Sequence, residues 1–190
     1  MRIAILSDIH DHVWNASAAL RFVRDCPELI CCGDLCSPFV MKLLVQEFPG
    51  EIHVVFGNND ADLFRITQLA QQGGGRVHLH GELALLNRGG KRIAVNHFDY
   101  IAREIAEADR YDVVCFGHNH QREITRLNAG EPHLLLLNPG TLMGVRFSQG
   151  QPVPAEATFM IYDTEAHEAV CYEVTGAGGP GQGTVRELPQ

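Results

Sequence analysis

The chain has 190 residues, of which 45% are hydrophobic, with a formal net charge of −8 and a pI of about 5.6. This length and apolar content suit one domain with a well-buried core. The negative charge argues against general binding to nucleic acid or to an anionic membrane, because the average surface repels both polyanions. No apolar run reaches the roughly 20 residues of a membrane-spanning helix, so we expect a soluble protein.

The six cysteines follow no secretory signal, because the N-terminal run MRIAILSD is short and reaches an acidic residue at Asp8. We therefore expect a cytoplasmic protein with reduced thiols. The segment CCGDLC contains no Cys-x-x-Cys pair, and Cys31 and Cys32 continue the apolar run LICC. Both are interpreted as small buried strand residues.

Apolar runs rich in Ile, Val and Leu alternate with helix-like segments in the first part of the chain. This alternation is typical of a βαβ layout with buried strands. The predicted elements, in order, are a strand at 2–6, a helix at 15–24, a strand at 29–32, a helix at 39–48 opened by Ser37-Pro38, and a strand at 52–56.

The pattern then changes to closely spaced strands with glycine-rich breaks. Three hairpin-connected strands are predicted at 76–80, 82–87 and 91–96, followed by a helix at about 100–108. Further strands are predicted at 113–116, at 122–127 and 133–138 around the turn NAGEP, and at 158–163 and 168–174. This inventory predicts two packed mixed sheets flanked by helices, a four-layer α-β-β-α sandwich.

The last segment, GAGGPGQGTVRELPQ, is rich in Gly and Pro. Such composition disfavours regular elements. We therefore predict one domain over residues 1–175 and a flexible tail over residues 176–190, whose deletion leaves folding almost unchanged.

Five of the apolar strands end in residues that can bind metals, as in the segment VVCFGHNH from Val113 to His120. In open α/β sheets the ligand crevice lies beyond the carboxyl ends of the strands, so residues scattered along the chain converge there. Seven candidate ligands suffice for two divalent ions that share a bridging carboxylate, and Asp34 is the natural bridge. The candidates are Asp8, His10, Asp34, Asn58, His97, His118 and His120.

A single histidine at a strand end is more often a hydrogen-bonded structural residue than a ligand. The joint pattern is more specific. The motifs D-x-H, G-D, G-N, a histidine block and G-H-x-H occur here in order, and they resemble those of the calcineurin-like metallophosphoesterase superfamily. The chain is most similar to the small bacterial and archaeal phosphodiesterases of that superfamily. The resemblance covers residues 1 to about 141 and ends in the block Asn138-Pro139-Gly140-Thr141.

The resemblance implies a two-metal centre in which Asp34 contacts both ions. One ion would be held by Asp8, His10, Asp34 and His120, and the other by Asp34, Asn58, His97 and His118. Asp34, Asn58 and His97 are also the predicted catalytic residues. Imidazole and carboxamide ligands suit manganese, iron, zinc, cobalt or nickel, with manganese the first choice. Two divalent cations outweigh the two carboxylates, which gives an acidic protein a positive pocket for phosphate.

The implied reaction is attack of metal-activated water on the phosphorus of a small phosphoester, with a phosphodiester as the first choice. Two other enzymes stay open, a phosphomonoesterase and a nucleotide phosphohydrolase. A non-catalytic protein-binding scaffold is the remaining alternative, because the retromer subunit resembles these enzymes but has lost ligand histidines. The four ligand histidines present here favour the enzyme, and the acidic charge argues against long nucleic acid as a substrate.

Three positions depart from the family pattern. Asn59 stands where larger members have a histidine that helps to protonate the leaving group, so His12 and Asp60 are considered as substitute proton donors. Phe98 and Asp11 stand where the family often has glycine.

Overall fold

The computed structural model describes residues 1–127 and 133–189 and shows a mixed α/β fold. None of the helices in these residues is long and apolar enough to cross a membrane. The elements, in chain order, are β1 (Arg2–Leu6), α1 (Val13–Phe22), β2 (Glu28–Cys31), α2 (Pro38–Glu47), β3 (Glu51–Val54), α3 (Leu63–Gln71), β4 (Val77–Leu79), β5 (Leu83–Arg88), β6 (Lys91–Asn96), α4 (Asp99–Glu107), β7 (Val113–Cys115), β8 (Arg122–Leu127), β9 (Leu134–Pro139), β10 (Val145–Ser148), β11 (Gln151–Pro154), β12 (Ala157–Asp163), β13 (Glu168–Thr175) and β14 (Thr184–Glu187).

Two mixed sheets pack face to face, one of seven strands in the order β14-β13-β12-β1-β2-β3-β4 and one of five in the order β5-β6-β7-β9-β8. Successive side chains of a strand point to opposite faces. In β1, Ile3 and Ile5 therefore lie in the core between the sheets, while Ala4 and Leu6 pack beneath α1 and α2. Helix α4 covers the outer face of the smaller sheet. The predicted α-β-β-α sandwich is confirmed.

The strand directions bring the predicted ligand loops together. β1, β2 and β3 are parallel neighbours in the larger sheet, and β6 and β7 are parallel neighbours in the smaller one. Parallel strands end at a common edge of their sheet, and ligands bind beyond that edge. The loops that follow these five strands therefore lie at one end of the sandwich.

The hairpin series predicted between residues 76 and 96 is partly wrong. β4 pairs in parallel with β3 in the larger sheet, whereas β5 and β6 form an antiparallel hairpin in the smaller sheet. Helix α3, which was not predicted, supplies the crossover that parallel strands require. The predicted bounds of α1, α2 and α4 differ from the observed ones by at most two residues. β8 and β9 pair as predicted, but the NAGEP turn lies outside the described residues.

The structure contradicts the predicted flexible tail at its C-terminal end. Residues 184–187 form β14, which pairs antiparallel with β13, and Leu188 is only 6% exposed in the core between the sheets. Gly181 and Gly183 adopt positive φ angles, which let the chain turn back towards the sheet. Composition missed this strand because its backbone partners lie at a sheet edge formed by other parts of the chain.

Leu188→Ala is expected to lower the melting temperature by about 4–20 °C. Truncating a buried leucine costs about 2–5 kcal/mol, and each kcal/mol shifts the melting temperature of a chain of this size by about 2–4 °C. Thermal unfolding followed by circular dichroism measures the change. Glu187→Ala is the matched control, because that side chain is exposed on β14. Equal melting temperatures for the two variants would show that the C-terminal end does not dock.

Candidate metal centre

The structure brings all seven predicted ligands together at the carboxyl ends of the strands. Asp34 lies at the middle of this group, with its Oδ2 atom 3.4 Å from Nε2 of His10 and 3.4 Å from Nε2 of His97. Two sets of carboxylate and imidazole atoms each lie within 4.8 Å of one another: Asp8, His10 and His120, and Asp8, Asp34 and His97. Both sets have the composition and the spacing of a metal site.

His120 lies close to its partners in the first set, and the two remaining predicted ligands, Asn58 and His118, extend the second. Nε2 of His120 lies 3.2 Å from Asp8 Oδ1 and 3.2 Å from Nε2 of His10. On the other side, Asn58 Oδ1 lies 3.1 Å from Nε2 of His97 and 3.0 Å from Nδ1 of His118. The ligand groups are thus arranged as two histidine pairs with carboxylates between them.

Several of these residues adopt an unusual backbone conformation. Positive φ angles are uncommon for residues other than glycine, and strained backbone clusters at functional sites where the surroundings enforce it. Here the sharp turns after β1, β2 and β7 point the ligand side chains into the crevice. Five of the seven predicted ligands have positive φ angles: Asp8 (52°), His10 (43°), Asp34 (55°), His118 (72°) and His120 (58°).

The tautomers of two ligand histidines can be assigned from their hydrogen bonds. Nδ1 of His97 lies 2.8 Å from the carbonyl oxygen of Cys32, and Nδ1 of His120 lies 2.6 Å from that of Val145. Because a carbonyl oxygen only accepts, both Nδ1 atoms carry hydrogen and donate it. In the neutral ring, Nε2 then directs a lone pair into the crevice, as a metal-binding histidine does.

Oxygen atoms that only accept hydrogen bonds face these lone pairs. Nε2 of His97 faces Oδ2 of Asp34 and Oδ1 of Asn58, and Nε2 of His120 faces Oδ1 of Asp8. Acceptors that face acceptors repel unless a proton or a metal ion lies between them. Asp8 Oδ1 is also buried with no hydrogen-bond partner among the described residues. This donor set therefore fits a divalent cation on each side of Asp34.

The carboxylates are held in their charged form. Burial opposes ionisation of Asp8, but the neighbouring imidazoles of His10 and His120 outweigh it and hold the pKa of Asp8 well below its usual range. Burial also opposes ionisation of Asp34, whose pKa is nevertheless lowered by His97 and Asn59. Buried negative charges need compensating positive charge, which a bound metal cation would supply.

Asn59 and Asp60 have structural roles that were not predicted from the sequence. The backbone N–H of Asn59 donates to Oδ1 of Asp34 over 2.9 Å, and its side-chain amide donates to Oδ2 over 2.8 Å. The Asp60 carboxylate accepts the backbone N–H groups of Asp34, Cys36 and Gly57 at 3.0, 2.9 and 2.7 Å. Asn59 thus orients the central carboxylate, and Asp60 joins the two loops that carry Asp34 and Asn58.

The block Asn138–Thr141 positions two further ligand loops. The buried side-chain amide of Asn138 donates to the carbonyl of Gly117 over 3.1 Å and to Oδ1 of Asn119 over 2.9 Å. The hydroxyl of Thr141 donates to the backbone carbonyl of Asp8 over 2.8 Å. This segment therefore ties the loop of His118 and His120 to the loop of Asp8.

The family of the chain follows from a comparison of its sequence with family models. Residues 1–167 match the calcineurin-like phosphoesterase superfamily domain. The chain belongs to this superfamily. It is therefore a phosphoesterase, a hydrolase of phosphoric esters, which confirms the predicted enzyme class.

Relatives of this phosphoesterase agree with that assignment. A phosphodiesterase of Methanocaldococcus jannaschii is 28% identical over 171 residues, which cover 88% of this chain and 96% of that protein. The structure of an archaeal phosphodiesterase superposes with a TM-score of 0.76 at 24% identity, covering 99% and 100% of the two chains. A zinc complex of Vps29 from Entamoeba histolytica has a TM-score of 0.66 at 20% identity, covering 99% and 98%. These two structural similarities show the shared fold.

Proposed function

We propose that this phosphoesterase is a two-metal phosphodiesterase that hydrolyses a small phosphoester. The observation that carries the proposal is the position of Asp34, which lies 3.4 Å from one histidine of each pair. One carboxylate placed between two sets of ligands is the arrangement that a bridged pair of divalent ions requires. The name of the M. jannaschii relative supports a diester as the substrate.

The two sets of side chains give each ion its own ligands. The first ion would be held by Asp8, His10, Asp34 and His120, and the second by Asp34, Asn58, His97 and His118. Imidazole predominates in both sets, which favours manganese, iron, zinc, cobalt or nickel over magnesium and calcium. Manganese is our first choice.

The chain's own residues orient the centre for reaction. When bound, the two cations activate water for attack on phosphorus and stabilise charge on the phosphoryl oxygens. The carbonyls of Cys32 and Val145 hold the Nδ1–H groups of His97 and His120, so that Nε2 of each neutral ring faces the crevice. Asn59 holds the Asp34 carboxylate through two hydrogen bonds. Two divalent cations exceed the charge of the two carboxylates, so the crevice attracts a phosphoester anion.

We further propose that the protein acts in the cytoplasm. All six cysteines are free thiols, and five of them are buried. Free thiols persist in a reducing compartment. The net charge of −8 supports a small phosphoester as the partner, because it disfavours long nucleic acid and anionic membranes.

Removal of metal is expected to abolish hydrolysis of bis(p-nitrophenyl) phosphate. Elemental analysis of the purified protein should find two ions per chain, and chelation followed by stepwise addition of Mn²⁺ should restore the rate only when the second equivalent binds. Zn²⁺, Co²⁺, Ni²⁺ and Fe²⁺ are compared under the same conditions, with Mg²⁺ as the contrast. Hydrolysis that persists after both ions are removed would contradict the proposal. Two bound ions without turnover of any phosphoester would favour the protein-binding scaffold.

A further inference from the structure

Aromatic rings contact the ligand histidines on both sides of the centre. The ring centroid of Phe147 lies 6.2 Å from that of His120, at an interplanar angle of 67°. On the other side, the ring of Phe98 lies 5.2 Å from His97 and 5.1 Å from His118, and Tyr100 lies 5.6 Å from Phe98. Each histidine pair therefore has an aromatic neighbour of its own.

Two of these rings are available to a ligand. Phe147 is 59% exposed and Tyr100 is 60% exposed, although both are large aromatic side chains. Scattered apolar residues are common on protein surfaces and need no explanation. Here Phe147 contacts His120 directly, and Tyr100 contacts Phe98, which in turn contacts two candidate ligand histidines. Both exposed rings therefore border the centre.

Phe147 lies on a hairpin that is attached to the centre. β10 and β11 pair only with each other and join neither large sheet. Their turn, Gln149-Gly150, has two positive φ angles, as a tight two-residue hairpin turn requires. The base of the hairpin is fixed because Val145 accepts the Nδ1–H of His120. The hairpin is thus hydrogen-bonded to the candidate ligand His120, and it places Phe147 beside that residue.

The chemistry of the rings indicates what they bind. A phosphodiester carries two ester groups that extend away from phosphorus in different directions. Nucleobases stack on aromatic side chains regardless of their hydrogen-bonding edges, whereas a small alkyl group has no face to stack. Arg146, next to Phe147, is exposed and forms no ion pair within the described residues, so its charge adds to the attraction of an anion.

We propose that Phe147 on one side and Phe98 with Tyr100 on the other are aromatic platforms for ring-bearing ester groups, which makes the substrate a small diester of a nucleoside. The proposal rests on the proposed phosphodiesterase function. It assigns a role to Phe98 at the position where the family often has glycine, and to a hairpin that belongs to neither sheet. Phe147 and Tyr100 are then specificity-determining residues.

Two substrates with the same leaving group isolate this effect. Thymidine 5′-(p-nitrophenyl phosphate) and methyl p-nitrophenyl phosphate both release nitrophenolate, so the ratio of their kcat/KM values reports only the retained ester group. The Mn²⁺-loaded protein is expected to prefer the thymidine ester. Because stacking contributes about 1–3 kcal/mol per base, Phe147→Ala should reduce the ratio about fivefold or more, and Phe147→Tyr should preserve it.

Leu85→Ala is the matched control. Leu85 is 58% exposed on the edge strand β5 and contacts none of the ligand histidines, so its loss should leave the ratio unchanged. Melting temperatures of all variants show whether the fold is intact. Calorimetric titration with thymidine 5′-monophosphate and with methyl phosphate supplies a readout that needs no turnover.

The outcomes separate the two proposals. Hydrolysis of both esters with a ratio that Phe147→Ala and Tyr100→Ala leave unchanged would overturn the platforms and preserve the phosphodiesterase. Absence of hydrolysis, together with weaker binding of thymidine 5′-monophosphate by Phe147→Ala, would support the platforms and overturn the phosphodiesterase. Absence of hydrolysis with equal binding by all variants would overturn both.

Discussion

Asp34→Asn is expected to reduce hydrolysis of bis(p-nitrophenyl) phosphate by more than about 10²-fold and to lower the metal content below two ions per chain. Removal of a group that only hydrogen-bonds to a metal ligand already lowers metal affinity or activity by about 10–100-fold. The Oδ2 atom of Asp34 faces a histidine of each pair at 3.4 Å, so this one charged oxygen serves both positions.

Metal content and rate should be measured on the same preparations. Asp25→Asn is the matched control, because Asp25 is exposed and remote from the ligand loops. His118→Ala provides a graded comparison. The side chain of His118 contacts Asn58 of the second set, so its loss should weaken mainly the second ion. Two tightly bound ions and normal turnover in Asp34→Asn would show that this carboxylate is not the bridge.

Gly57→Ala is expected to lose nearly as much activity as Asp34→Asn, although it adds one methyl group and removes no ligand. A Cβ atom at this position would collide with Oδ1 of Asp34 and would lie 2.8 Å from Nε2 of His97. The φ angle of Gly57 is not positive, so alanine introduces no backbone strain. The methyl group would therefore act by displacing two ligands, and the loss should exceed about 10²-fold.

Gly178→Ala is the control for this variant, because the nearest atom to its added Cβ is 3.5 Å away in the side chain of Gln182. Elemental analysis, turnover and thermal unfolding should be compared for both variants. We expect Gly57→Ala to unfold cooperatively while its metal content falls. Full metal occupancy with unchanged turnover would show that the loops after β2 and β3 can move apart without cost to the centre.

The convergence of the candidate site residues was predictable because each one follows a recognisable apolar strand. Asp8, Asp34 and Asn58 follow three such runs, and parallel strands place their carboxyl ends at one edge. No knowledge of distances was needed for that step. The hydrogen bonds of Asn59 and Asp60 were not predictable, because they depend on loop conformations that bring two separate chain segments together.

Two incorrect predictions about strands share one cause. β4 was assigned to a hairpin although it pairs in parallel with β3, and β14 was interpreted as a flexible tail. Strand pairing is decided by partners distant in sequence, so local composition does not identify it. The position of Phe147 beside His120 was not predictable for the same reason, because it is a tertiary contact between distant segments.

The sequence by itself determined the superfamily, the sandwich architecture and the choice of seven candidate ligands, because strand periodicity and motif order are encoded locally along the chain. Only the tertiary structure decided which ligand lies between the two histidine pairs, which ring nitrogen faces the crevice and which aromatic rings surround it. Those properties depend on distances between atoms of different loops, and the packing of two sheets sets these distances.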